Sequence, residues 1–325
     1  MKTKRQVIGL PLTLVLLQMP ATGAGTAKPV CSPPGDPAIG YEHAKFAPDA
    51  DIRRQFRGFE VSFDSKDDDG ELGTNLLRVA HWVAQEVHRW EPPEGDQAND
   101  DAWCLDTGKR PKWFTDDDLF ASGVAPNDDS YRSSGFDRGH MAMKLLVERL
   151  GQEAAYCTHT VLNAIPQRAR FNRRVWQELE RLTGAWAQAY GKVWVIQGPV
   201  FYPGRPLTWI GDEGERKVAV PDAAFKIVIR EKAPEEGNQA SDGPGVLAFL
   251  YPQLGAGYFG QTRDYRHERF LTTVDEIEEL TGLDFKLSQD ARVEKRIERQ
   301  RALALWEPSS VDRKQRRLFL TGCRK

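Results

Sequence analysis

Asp137-Arg138-Gly139-His140, inside GFDRGHMAMKLL, places an acid, a base, a glycine and a histidine in consecutive positions. Read as a strand, the stretch puts Arg138 and His140 on one face and turns Asp137 to the other, because side chains alternate along a strand. A cation and a titratable imidazole would then share one target, with Gly139 leaving room for a ligand or another backbone to approach. The same composition also suits a solvated turn. The rest of the chain has to decide between the two.

A second stretch, LNAIPQRARFNRRVWQELE from Leu162 to Glu180, supplies oxygen ligands and positive charge. Asn163 ends an expected strand, and Pro166 enforces the break. Asn172 opens an expected helix, with Trp176 at i+4 and Glu180 at i+8 on overlapping sides, Glu180 roughly 12 Å further along the axis. Helical side chains lean toward the N-terminus, so Glu180 points back toward Asn172. One ion can then be held directly by the Asn172 amide oxygen and reached by Glu180 through a bound water. A hard cation that keeps most of its waters, as magnesium does, suits so few protein oxygens. Taken singly, Asn172 also reads as a helix cap and Glu180 as a solvated acid. Arg168, Arg170, Arg173 and Arg174, with Arg181 just beyond, form a local anionic-ligand surface where a helix start adds its own preference for phosphate.

The elements that must position these residues belong to a chain of 325 residues with formal net charge −2. Lys2, Lys4 and Arg5, an apolar run from Val7 to Met19 and the small residues Ala21-Thr22-Gly23-Ala24 have the layout of a secretory signal peptide. Residues 1–27 are therefore set apart, and the apolar run is shorter than the ~20 residues of a membrane span. A protein that coats duplex nucleic acid is usually basic overall, so any nucleic-acid contact here needs a local patch. Cys31, Cys104, Cys157 and Cys323 allow one or two bridges with three connectivities on paper. Cys157, in an apolar run, also suits a buried free thiol. No CxxC pair offers a cysteine zinc site.

Residues 28–50, rich in Pro, Gly and Ala, form an extended lead-in, and residues 51–325 one domain with its core at about 59–285. LLRVAHWVAQEVHRW fits either a helical face or a strand. Glu91 to Asp129 is mostly loop. AAYCTHTVLNAI is expected as a strand, and FNRRVWQELERLTGAWAQAY as a helix ending before Gly191. KVWVIQGPVFY, AAFKIVIR and GVLAFLYPQ read as strands. TTVDEIEELTGLDF is a helix capped by Thr273 with Glu276 three residues on. A charged, helical tail occupies 290–325. The mixture points to an α+β fold with a central, mainly antiparallel sheet flanked by helices.

Together, the two motifs resemble the DNA/RNA non-specific endonucleases of the ββα-metal (His-Me finger) group. The family's DRGH is present at 137–140, and its second signature is matched by Asn163, Pro166-Gln167, Asn172, Trp176 and Glu180. WVAQEV, APNDDSYRSSG, VIQGPVFY, PDAAFKIVI and TTVDEIEELTGL extend the likeness over roughly Phe59 to Leu283, and it makes WVAQEV a strand. The chain departs from the family at Met141-Ala142-Met143-Lys144, where the family continues with Leu-Ala-Pro or Gln-Ala-Pro.

The resemblance implies an exported, periplasmic or extracellular endonuclease that cleaves DNA and RNA with little sequence preference and leaves 5′-phosphates. The resemblance also implies use of Mg2+, with Mn2+ as a substitute. It makes His140 the general base, Arg138 the group that neutralises phosphorane charge, Asn172 the direct metal ligand, Glu180 its water-mediated partner, and Asn163 a site-positioning residue. Asp137 and Arg110 would support the site. DNA and RNA are the implied partners, with an inhibitor protein and a homodimer left open. Competing readings are a specialised metal phosphodiesterase on the same scaffold and a catalytically inactive nucleic-acid-binding member.

Overall fold

The computed structural model describes residues 31, 46–47, 52–65, 76–89, 111–150, 152–231, 243–253 and 265–310. The leader and most of the 28–50 lead-in lie outside the described residues, as do Cys104, Arg110, Cys323 and the tail beyond residue 310. In chain order the strands are β1 (Phe46–Ala47), β2 (Ile52–Phe56), β3 (Phe59–Phe63), β4 (Ala80–His88), β5 (Phe136–His140), β6 (Ala164–Arg168), β7 (Lys192–Val200), β8 (Thr208–Ile210), β9 (Val218–Val220), β10 (Ala223–Arg230), β11 (Gly245–Pro252), β12 (Leu271–Thr272) and β13 (Asp284–Phe285). The α-helices are α1 (Asp117–Ala121), α2 (Lys144–Val147), α3 (Gln152–Cys157), α4 (Gln177–Tyr190), α5 (Val274–Thr281) and α6 (Ala291–Arg299).

Among the described residues, seven strands form one sheet in the order β12-β11-β10-β7-β4-β3-β2, antiparallel at every pairing. The fold is α+β, as the pattern of elements indicates. The central strands are apolar on both faces. Val83, Val195 and Val228 turn to one side, where they meet Leu179, Leu182 and Trp186 of α4. Trp82, Ala84, Trp194, Ile196 and Ile227 turn to the other, where Val274 and Ile277 of α5 and Val293 and Ile297 of α6 cover them. Burial on both faces removes the polar half of the period-2 signal, which is why LLRVAHWVAQEVHRW leaves helix and strand open. Its central residues are β4.

The segment AAYCTHTVLNAI is not the expected strand. Ala154 to Cys157 belong to α3, Val161–Asn163 form a 3-10 turn, and only Ala164 onward is extended. Thr and Val give this run β character, but Cys157 is tied to Cys31 by a disulfide and Ala154 and Ala155 are buried under the neighbouring elements. Pro166 does not break a strand either. It lies within β6, which among the described residues pairs only with β5, and proline is tolerated where no ladder hydrogen bond is asked of its nitrogen. Asn163 therefore precedes a strand and does not end one.

The expected cap of α5 is present: Thr273 Oγ1 accepts from Glu276 N at 3.1 Å. Of the helical tail expected over 290–325, Ala291–Arg299 form α6, residues 300–310 are not helical, and the remainder lies outside the described residues. Within the acidic loop before residue 129, α1 is capped by Asp116, whose side chain accepts from Leu119 N.

Candidate active site

The hairpin β5–β6 and the helix that follows stand on the α4 side of the sheet. That helix is not regular. Phe171–Trp176 form a π-helical turn that runs directly into α4, a deviation often found at functional sites. The extra residue per turn changes which side chains share a face. Asn172, Arg173, Gln177 and Glu180 line one cleft, while Trp176, expected on that side with Asn172 and Glu180, is fully buried against Phe171 and Tyr251. Gln177 escapes a reading by the regular 3.6-residue period, which passes it by.

The cleft has a volume of about 910 Å³ and is also lined by Pro111, Trp113, Asp137, Arg138, His140, Lys144, Glu148 and His159. His140 closes β5. Its ring lies 4.5 Å from that of Trp113 and 4.9 Å, edge-on, from that of His159. The chain after it is clamped: Met141 N donates to Asn163 O at 2.9 Å, Ala142 N donates to Asn163 Oδ1 at 2.8 Å, and the Gln197 amide donates to Met141 O. Asn163 Nδ2 donates to both Ala142 O and Thr158 O at 2.9 Å. With both amide protons committed and no exposed surface, Asn163 holds the backbone on either side of the site and does not face the cleft. Its place is that of a positioning residue. The Met141–Lys144 departure becomes a short connection into α2, where Lys144 Nζ meets Glu148 at 2.8 Å.

Asp137 does not turn away from the cleft as strand alternation suggests. At the edge of a two-stranded hairpin its carboxylate reaches the π-turn, accepting from Asn172 Nδ2 at 2.9 Å and from Arg173 Nε at 2.8 Å and Nη2 at 2.6 Å. An asparagine amide has one donor end and one acceptor end. Spending the nitrogen on Asp137 leaves the Asn172 carbonyl oxygen as the atom to offer a cation. Gly139 is likewise not open to a ligand. A Cβ there would lie 2.1 Å from the side chain of Gln167, which is itself fully buried.

Glu180 is buried at the cleft wall, and desolvation pushes its carboxyl up to about 7, opposed by the nearby Lys226 and Arg181 cations. Lys226, inside β10, is completely buried with its ammonium 4.5 Å above the Trp176 ring. Burial pulls that ammonium down to about 8, with Glu180 opposing the shift. The acid and the cation thus lie in one apolar region, each favouring the charge of the other. Arg138 is engaged by Asp128 through its side chain and through the backbone oxygen at 3.1 Å, with its guanidinium 5.7 Å from the Tyr131 ring centre.

Arg168, Arg170, Arg173 and Arg174 are all exposed, and Arg173 lines the cleft. Arg168 lies 5.4 Å over the Phe136 ring. Arg181 is not part of that surface, since it is half-buried and bonded to Glu178 at 2.9 Å. Arg110 lies outside the described residues, and its neighbour Pro111 lines the cleft.

The oxygen donors of Asn172 and Glu180 fit a hard divalent cation that retains much of its water. The three-carboxylate group Asp275, Glu278 and Glu298, whose ligand atoms lie within 4.8 Å of one another, shares no residue with the cleft and is carried by α5 and α6.

Several known proteins are similar to this chain in sequence or fold. Endonuclease G of Bos taurus mitochondria is 30% identical over 64% of this chain and 63% of its own length. The Homo sapiens protein of that name is 33% identical over 52% of this chain and 54% of its own length. A nuclease of Nostoc sp. is 26% identical over 69% of this chain and 73% of its own. The chain thus spans somewhat over half the length of the two endonuclease G relatives. A solved structure of EndoG in complex with EndoGI, at 24% identity, superimposes with a TM-score of 0.59 over 76% of this chain and 89% of that one, which shows a shared fold. The model of the family described as DNA/RNA non-specific endonuclease matches residues 48–292, a span that takes in the hairpin, the π-turn and the sheet beneath them, and the chain belongs to that family.

Proposed function

We propose that this protein is an exported, magnesium-dependent endonuclease that hydrolyses DNA and RNA with little sequence preference and leaves 5′-phosphates. The observation that carries the reading is the convergence of His140, Asn172 and Glu180 on one cleft beside exposed arginines. An imidazole near neutral pH suits a general base, and His140 would take the proton of the water that attacks phosphorus. Arg138, oriented by Asp128, places positive charge at the same wall, where charge develops on the phosphate. Asn172 would hold the ion through its carbonyl oxygen, kept in register by Asp137, and Glu180 would accept from the ion's hydration shell. Magnesium, when bound, would supply Lewis-acid polarisation of the phosphate and assist departure of the 3′-oxygen; Mn2+ has similar oxygen preferences and would substitute.

Arg168, Arg170, Arg173 and Arg174 would grip phosphates, which fixes register on a nucleic acid without reading its sequence. Export is supported by the leader pattern of residues 1–27 and by the Cys31–Cys157 disulfide, since such bonds persist in oxidising compartments. The relative whose structure contains EndoGI makes an inhibitor protein a reasonable partner class here too.

The test is incubation of the full chain with plasmid DNA and, separately, with RNA, in magnesium and in chelator. The reading expects cleavage of both in magnesium and of neither in chelator. Cleavage that persists in chelator would remove the metal from the account, and binding without cleavage would leave a nucleic-acid-binding protein.

A further inference from the structure

His159 is the second histidine of the cleft, fully buried and outside both motifs. It sits on the turn between α3 and the 3-10 segment, and its surroundings are fixed on every side. Its N donates to Tyr156 O at 3.0 Å, and its carbonyl accepts from Phe114 N at 3.1 Å. Val161 N donates back to Phe114 O at 2.9 Å. The adjoining Thr158 carbonyl is one of the two held by the Asn163 amide. Trp113, carried by the strand-like segment bonded to His159, touches both imidazoles, at 4.5 Å from His140 and 5.3 Å from His159.

The hydrogen bonds also fix how the ring is protonated. Thr158 has one hydroxyl proton, donated to Ala155 O at 2.7 Å. Toward His159 Nδ1, at 3.4 Å, its oxygen can therefore only accept, so Nδ1 carries a proton. The imidazole is thereby keyed in one orientation and presents itself to His140 at an interplanar angle of 82°.

We propose that His159 is a positioning residue for His140: with Trp113 it forms a rigid two-sided socket that keeps the base aimed into the cleft. The proposal rests on the reading of His140 as the general base. It concerns the orientation of that base and not metal binding, because Asn172 and Glu180 stand on the opposing helix. Misplacement of a reacting group by about 1 Å can cost on the order of 100-fold in rate, so losing the socket wall should appear in kcat.

The experiment compares wild-type full chain with His140→Ala, His159→Ala and His159→Phe, measuring kcat, KM for DNA and the magnesium half-saturation of each. His159→Ala should lower kcat roughly 10- to 100-fold with KM and magnesium half-saturation unchanged. His159→Phe, which restores a ring edge, should recover most of that loss. A wild-type kcat in His159→Ala, a loss confined to KM, or a Phe variant as slow as the Ala variant would each overturn the socket while His140→Ala stays inactive. Activity in His140→Ala would instead overturn the reading beneath it. Nitrogen-15 histidine NMR of the unmodified protein gives a check that no folding defect can obscure: the His159 ring should carry its proton on Nδ1, and a neutral ring protonated on Nε2 would contradict the keyed orientation.

Discussion

The two sides of the central sheet treat their carboxylates differently. On the side of α4, each acid at the cleft has a cation as partner: Asp137 with Arg173, Asp128 with Arg138, Glu148 with Lys144, and Glu180 with the buried Lys226 in its field. On the side of α5 and α6, Asp275, Glu278 and Glu298 crowd one another. There burial first, and then the neighbouring acids, push Glu298 up to about 7. A net charge of −2 is thus an average over unlike local patterns, among them a cleft whose acids are paired with cations and a group of three carboxylates that crowd one another on α5 and α6. What a nucleic acid would meet is the local pattern, because beyond about 8–10 Å salt screens the remainder.

The largest effect that separates the two sides should come from Asn172. Asn172→Ala removes the one carbonyl oxygen that Asp137 presents to the cleft, and cleavage at fixed magnesium should fall on the order of 100-fold or more, with half-saturation moved to higher magnesium. An unchanged metal titration would remove Asn172 as a ligand. Asp137→Ala should do less, about 10-fold in apparent magnesium affinity, since loss of an outer partner lets the ligand turn without deleting it. Excess magnesium should recover much of that rate.

The arginine rim should act on binding alone. Replacing Arg168 and Arg170 with Ala should raise KM several-fold at unchanged kcat. It should also lower the salt dependence of binding by about one unit of log–log slope for each phosphate that is no longer neutralised. A fall in kcat would place these residues in the chemistry. The smallest effect belongs to the far side. Because the Glu298 carboxyl titrates higher in the fold than its ordinary 4.5, the ionised form destabilises, and stability is lost as pH rises from about 4.5 to about 7. Glu298→Gln should therefore raise the stability slightly at pH 8, by less than about 1 kcal/mol for a partly exposed acid, and change nothing at pH 4. Nuclease activity should be untouched. A Glu298→Gln protein that loses activity would mean that the two sides are not independent.

Much of this organisation can be read from the residues. β7, β10 and β11 are apolar runs punctuated by turn residues, and the two motifs point to His140, Asn172 and Glu180 by type and spacing. What escapes has identifiable causes. The π-turn is invisible to a 3.6-residue period, which misses Gln177 and places Trp176 on the wrong side. The strand alternation that turns Asp137 outward ignores the reach of an edge carboxylate to a facing helix. Trp113 lies in a stretch that reads as acidic loop, and His159 in one that reads as strand. The Phe114 bridge to Thr160 brings those two segments together. Lys226 reads as one polar residue in a strand, and nothing local in AAFKIVIR reveals the acid across the core. The Cys31–Cys157 pairing spans 126 residues, a long-range choice that spacing does not determine.

The central claim is that this cleft performs hydrolysis with His140 as base. The most direct measurement follows His140→Ala against the wild-type protein, with plasmid cleavage in magnesium and plasmid binding assayed in parallel. The account predicts that cleavage disappears, by roughly 1,000-fold or more, while the binding constant stays within a few-fold of wild type. Cleavage at the wild-type rate in that variant would contradict it.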